Sequence, residues 1–92
     1  GEIDVGRVFT TQGILKSKDW VILEDDKNLH PAQQVVPFAR ADKLDAAGRD
    51  ALNKLNSILT TEDLIDLNAQ IDVDKKDPDK VAAEWLKAKG LV

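Results

Sequence analysis

The 92-residue sequence predicts an α/β fold in which short strands in the first 40 residues are followed by three C-terminal helices. Up to about residue 40, apolar residues alternate with polar ones or run together briefly, which is typical of strands. From about residue 41, apolar residues recur at steps of three and four, which is typical of amphipathic helices. No internal repeat or low-complexity linker interrupts the chain.

Three segments have strand patterns, at residues 1–9, 20–23 and 33–39. The first alternates acidic and apolar residues and ends at the polar break 10–13. The second is continuously apolar, as in a strand buried on both faces, and a polar cluster follows it. The third contains Pro37, which cannot donate to a ladder, so we expect a strand that is short, bulged or at an edge.

The first two predicted helices each have one apolar side. In the first helix these residues are Leu44, Ala47, Ala51, Leu52, Leu55, Ile58 and Leu59. Gly48 within it costs about 1 kcal/mol relative to Ala, which indicates close packing or a frayed start. Thr60 is a good N-cap for the second helix, and Asp63 stands where a capping box has Glu or Gln. One side of that helix carries Leu64, Ile65, Asn68 and Ile71.

The last helix has the fullest set of end signals. Asp77 is its predicted N-cap, Pro78 takes the first helical position and Gly90 ends it. Its predicted inward residues are Val81, Trp85 and Leu86, and we expect Leu91 to fold back against the helix.

Composition excludes several classes of protein. The chain has 13 basic and 17 acidic residues and a formal net charge of −4, so it lacks the positive footprint of a nucleic-acid-binding protein. It has no Cys for disulfides or zinc thiolates. It also has no Met and starts at Gly1, from which we expect a chain processed or excised from a longer protein.

Groups able to carry catalysis are few. The chain has one His and no Cys, and its two Ser are Ser17 and Ser57. His30 lies in a loop beside Pro31, far in sequence from Ser57, and a lone loop histidine is more often structural than catalytic. We therefore predict that the protein is not an enzyme and needs no cofactor.

Acidic residues cluster at 25–26 and 72–74, where we expect them to solvate turns and cap helices. Residues 72–83 do not fit a calcium loop, because Lys76 stands at the fifth position, Asp77 replaces the glycine and Ala83 replaces the bidentate Glu. We predict no metal site.

Four aromatic residues remain, and core packing is the default for Trp20, Phe38 and Trp85. Phe9 differs in position, because it ends a predicted strand just before the polar break. Ligands of α/β proteins bind outside the carboxyl ends of strands. Phe9 therefore either contacts a ligand or caps a core.

Nine segments read in order are familiar: GEIDV at 1–5, FTTQG at 9–13, LEDDK at 23–27, VVPFAR at 35–40, LNKL at 52–55, LTTEDL at 59–64, LNAQIDVD at 67–74, DPDKVA at 77–82 and WL at 85–86. Together the chain resembles the C-terminal part of the substrate-binding proteins of ABC importers for glycine betaine, choline and related osmoprotectants. The resemblance covers nearly all 92 residues.

The resemblance implies a partial type II periplasmic-binding-protein fold, in which two α/β lobes joined by two crossovers close over a ligand. By the same resemblance, residues 1–9 are the end of the second lobe, residues 10–19 are the return crossover and residues 20–92 complete the first lobe. The chain is then one fragment of a two-lobed receptor.

The resemblance also implies ligand-binding residues. The family holds a trimethylammonium group in a cage of aromatic rings. Phe9 and Gln33 stand where its motifs have Tyr, and this chain has no Tyr. Phe9 keeps a ring face, whereas Gln33 offers an amide. Thr10 and Thr11 either bond a ligand or satisfy backbone groups, and the ligand is either a quaternary ammonium or another small polar solute.

The function implied is that of an extracytoplasmic receptor, in the periplasm or anchored outside the cell. It delivers its solute to a membrane ABC permease by lobe closure. The alternative is a free-standing α+β protein-interaction module without a small-molecule ligand. We also expect the isolated fragment to self-associate through unpaired strand edges.

Overall fold

The computed structural model describes residues 2–92, which contain four α-helices. These are α1 (Ile14–Ser17), α2 (Ala46–Ile58), α3 (Thr61–Asp72) and α4 (Pro78–Ala88). The chain up to Asp19 and the chain from Thr60 onward form one compact unit, and Trp20–Leu59 forms another. The first unit holds α1, α3 and α4, and the second holds α2. Gly1 lies outside the described residues. Both the first predicted strand and the segment assigned to the end of the second lobe begin at this residue.

The predicted α/β fold is wrong, because no strand occurs in residues 2–92. Segments 2–8, 20–23 and 33–39 make no backbone ladder bonds within that range. Their apolar side chains are exposed, Val21 by 86%. A strand needs a neighbour that pairs with its backbone and a layer that covers its apolar face. The sequence pattern records the apolar face but not whether those partners are present.

The predicted core packing of Trp20 and Phe38 is also wrong, because no layer covers these side chains in residues 2–92. Phe38 is fully exposed and Trp20 is about half exposed. Trp85 is half-buried on α4, which agrees with its predicted inward position.

Helix α2 begins later than the apolar spacing indicates. Asp45 is its N-cap, and its Oδ1 accepts a hydrogen bond from Gly48 N at 2.7 Å. This capping carboxylate fixes the start at Ala46, since residues before an N-cap lie outside the helix. Leu52, Leu55 and Ile58 are half-buried, as the predicted apolar side requires.

Helix α3 starts with a complete capping box made by an aspartate. Thr60 Oγ1 accepts from Asp63 N at 3.1 Å, and Asp63 Oδ2 accepts from Thr60 N at 3.1 Å. The shorter Asp side chain therefore makes the reciprocal bond usually made by Glu or Gln. The predicted N-cap Thr60 is confirmed.

Both predicted ends of α4 are confirmed. The Asp77 side chain accepts from Lys80 N at 3.1 Å, and Pro78 takes the first helical position. At the other end Gly90 has φ +67°, Gly90 N donates to Lys87 O at 3.1 Å, and Leu91 N donates to Leu86 O at 2.9 Å. This is a Schellman motif, in which a left-handed glycine turns the chain back over the last helical turn. Among residues 2–92, no helix has the length and apolar character that a membrane crossing requires.

Helix α3 contacts both α1 and α4. At the contact with α4, Asp63 Oδ1 accepts from Trp85 Nε1 at 3.1 Å and lies 3.2 Å from Lys89 Nζ. Lys89 Nζ also lies 5.4 Å from the centre of the Trp85 ring, within cation–π range. The Trp85 hydrogen bond, followed by those from Thr60, holds the pKa of Asp63 well below its usual range. A carboxylate with these partners is stabilised in its charged form.

We expect the unit that contains α3 and α4 to lose stability in acid because Asp63 becomes protonated. A folded-state pKa below the usual 3.8 stabilises the folded chain above that pH, and the contribution is lost as the pH falls below it. Thermal unfolding followed by circular dichroism between about pH 5 and pH 2 measures the loss. Asp63→Asn is expected to flatten this dependence. Asp66→Asn removes one charge from the same helix but keeps the Asp63 contacts, so an equally flat profile for that variant contradicts the assignment.

Candidate functional site

Three of the four predicted binding residues lie in one tight turn before α1, formed by residues 9–12 and called here the 9–12 turn. Gln12 N donates to Phe9 O at 3.1 Å, which closes the turn. The Gln12 side chain also accepts from Phe9 N, with Oε1 at 3.3 Å. The backbone and the side chain of Gln12 thus both bond the backbone of Phe9.

Two of the three predicted binding residues in the 9–12 turn have exposed side chains. Phe9 is 60% exposed, and Thr10 is also exposed, whereas Thr11 is half-buried. No hydrogen bond joins the Thr10 or Thr11 hydroxyl to another group in residues 2–92. Three consecutive residues of the turn therefore carry an exposed ring and two hydroxyl groups.

Helix α3 contacts the 9–12 turn and the residue that follows it. Asn68 Nδ2 donates to Thr11 O at 2.6 Å, and this bond is partly buried. Gly13 is buried and packs against the α3 backbone so closely that a Cβ built on it lies 2.5 Å from Ala69 Cα and Asn68 C and still closer to Ala69 N. Only glycine fits this contact. Nearby, Lys16 Nζ lies 2.8 Å from Asp66 Oδ1 in an exposed ion pair, a kind of contact that contributes little.

The fourth predicted binding residue, Gln33, lies in the Trp20–Leu59 unit. It is exposed, in an irregular segment between Pro31 and Pro37. A fixed turn precedes that segment, because Asp25 Oδ1 accepts from Leu29 N and Oδ2 accepts from His30 N, both at 2.9 Å. The His30 and then the Leu29 backbone bonds lower the pKa of Asp25. The predicted turn role of Asp25 is confirmed.

Two shallow grooves are lined by other residues. One, of about 320 Å³, lies in the Trp20–Leu59 unit and the other, of about 170 Å³, lies between α1 and the end of α3. Neither includes Phe9, Thr10, Thr11 or Gln33. The part of the chain that the structure describes places no three His, Cys, Asp or Glu side chains together as a metal site.

Sequence reasoning missed the residues that hold the turn, Asn68 and Gly13. Asn68 was predicted only to share one side of this helix with Leu64, Ile65 and Ile71, and a lone amide among apolar residues is the signal that could have identified it. Gly13 was interpreted only as part of a polar break.

The Phe9 ring is thus exposed on a hydrogen-bonded turn. Comparison with known proteins defines the class to which the chain belongs. A family model described as the substrate binding domain of ABC-type glycine betaine transport system matches residues 1–88. The chain belongs to this family, so the resemblance is confirmed. It is a family of transport substrate-binding domains and not of enzymes.

A curated relative is the "Ergothioneine transport permease/ergothioneine binding protein EgtU" of Helicobacter pylori (strain G27). It is 37% identical over 86 residues, which cover 91% of this chain and 16% of the relative. The chain therefore spans about one sixth of that protein's length. No solved structure matches the chain.

Proposed function

We propose that this chain belongs to the solute-binding component of an ABC importer and that its 9–12 turn offers one wall of the solute site. The observation that carries the proposal is the Phe9 ring, 60% exposed on a turn fixed by Gln12. More than half of the Phe9 surface is free in residues 2–92, and aromatic rings attract cations over their faces.

The proposed solute is a quaternary ammonium compound that also carries a carboxylate. Family membership and the relative's printed name point to glycine betaine and ergothioneine, and both compounds have a trimethylammonium group and a carboxylate. Phe9 supplies a ring face for the cation. The Thr10 and Thr11 hydroxyls, which bond no group in residues 2–92, supply donors for the carboxylate.

The receptor acts outside the cytoplasm, in the periplasm or anchored outside the cell, and passes its solute to an ABC permease as two lobes close. Within it, residues 1–9 end the second lobe, residues 10–19 form the crossover and residues 20–92 complete the first lobe. A direct role of Gln33 in solute binding stays a prediction, which a substitution at Gln33 tests. Self-association of the fragment also stays a prediction, which sedimentation tests.

Substitution of Phe9 in the full-length protein tests the site. Phe9→Ala is expected to weaken binding of ergothioneine or glycine betaine by about tenfold, since a desolvated cation–π contact contributes about 1–2 kcal/mol. Phe9→Tyr keeps the ring face and is expected to bind within about threefold of the original protein. Isothermal titration calorimetry measures both.

Phe38→Ala is the matched control, because it removes a fully exposed phenylalanine from the other unit. Its affinity is expected to stay unchanged. Equal affinities for Phe9→Ala and the original protein contradict a role for the 9–12 turn, and absence of binding to either compound contradicts the proposed solute class.

A further inference from the structure

Helix α3 determines where the 9–12 turn lies, although the two are 57 residues apart at their closest hydrogen bond. That bond runs from Asn68 Nδ2 to Thr11 O at 2.6 Å. Its acceptor is the backbone carbonyl of the third residue of the turn. Movement of Asn68 therefore moves the turn itself and not only a side chain.

Asn at position 68 lowers the stability of α3 unless its side-chain amide has a hydrogen-bond partner. Asn is a poor helix former, and Asn68 lies on the side of α3 that also carries Leu64, Ile65 and Ile71. A half-buried amide without a partner costs free energy. The Thr11 carbonyl, a backbone acceptor at the end of a turn, also needs a donor. Each group satisfies the other.

The neighbouring residue of α3 fixes the other side of the turn. Ala69 is 8% exposed and its backbone meets Gly13. Asn68 and Ala69 thus hold the two residues that flank Gln12, one by a hydrogen bond and the other by close packing. Phe9 and Thr10 are left exposed in front of this support.

We propose that Asn68 is a positioning residue for solute binding, acting through the Thr11 carbonyl to set the place of the Phe9 ring. This inference rests on the proposed function, because it assumes that the 9–12 turn contacts solute. Asn68 itself touches no solute. It acts as a hydrogen-bond donor whose loss lets the turn move on α3.

Two variants of the full-length protein test the donor. Asn68→Asp keeps the size of the side chain but replaces the N–H donor with an oxygen that repels Thr11 O, and Asn68→Ala removes the amide. Both are expected to speed hydrogen exchange at the Gln12 amide about tenfold. Both are also expected to weaken calorimetric binding of ergothioneine or glycine betaine about tenfold.

Two controls separate positioning from stability. Thr60→Ala removes the N-cap of α3 and is expected to lower the melting temperature, but it leaves the Asn68 bond in place and retains affinity. Asn56→Ala removes an exposed helical Asn of α2 and is expected to change neither readout.

The outcomes are distinct. Faster Gln12 exchange with weaker binding in both Asn68 variants supports the inference. Unchanged Gln12 exchange overturns it, whatever the probes do. Faster exchange with unchanged binding, in a protein where Phe9→Ala weakens binding, also overturns it. If Phe9→Ala leaves binding unchanged, or neither probe binds the original protein, the proposed function fails and the inference about solute positioning fails with it.

Discussion

Replacing Gly13 with Ala is expected to lower the free energy of unfolding by about 1–3 kcal/mol. Gly13 has φ −62° and ψ −25°, which any residue adopts, so backbone conformation is not the reason for glycine. The reason is space, since the added Cβ lies 2.5 Å from Ala69 Cα and backbone atoms of a helix cannot turn aside. Either α1 separates from α3 or α3 distorts.

Gly48→Ala is the matched control for Gly13→Ala. Its added Cβ lies 2.9 Å from Leu44 Cδ1, the end of a flexible side chain that can shift, and Ala favours the helix by about 1 kcal/mol. We therefore expect its free energy of unfolding to change by less than about 1 kcal/mol. Urea unfolding followed by circular dichroism measures both variants. A Gly13→Ala protein as stable as the original contradicts the close contact.

Trp85→Ala is expected to cost about 2 kcal/mol of unfolding free energy, which is about half the loss for a fully buried Trp because this ring is half-buried. The variant loses packing of α4 against α3 and also the N–H that donates to Asp63 Oδ1 at 3.1 Å. Urea unfolding followed by circular dichroism, which does not depend on tryptophan emission, measures the loss.

Trp20→Ala and Trp85→Phe complete the test of Trp85. Trp20 is half exposed in the other unit, so its removal is expected to cost less than about 0.5 kcal/mol. Trp85→Phe keeps most of the packing but loses the N–H, so the pKa of Asp63 is expected to rise toward its usual value and the acid sensitivity to decrease. Equal stability of Trp85→Ala and Trp20→Ala contradicts the contact between α3 and α4.

Helices α2, α3 and α4 could be predicted from sequence because their signals are local, whereas the four-residue α1 was not predicted. Thr60, Asp77 and Gly90 act on backbone groups within five residues of themselves, so spacing alone identifies them. The strands could not be predicted in the same way. A strand depends on partners elsewhere, and segments such as 20–23 have none among residues 2–92.

The candidate site shows the same difference between local and distant signals. The polar break at 10–13 and the unusual position of Phe9 were visible in sequence. The support of the turn was not, because Asn68 and Thr11 are far apart along the chain and no local pattern relates them. Asp45 was missed although its signal is local, because the apolar spacing placed the helix start too early.

Under the proposed function, the support of the 9–12 turn has a consequence for how solute selectivity can be engineered. Its shape depends on the Gln12 and Asn68 side chains and on Gly13, whereas Phe9 contributes to it through backbone atoms. No hydrogen bond in residues 2–92 involves the Thr10 side chain. Exposed side chains of this kind change at little cost to stability. Under the proposed function, a library randomised at positions 9 and 10 is expected to change which solutes bind while the support of the turn stays in place. A library randomised at position 13 or 68 is expected to disturb the turn itself.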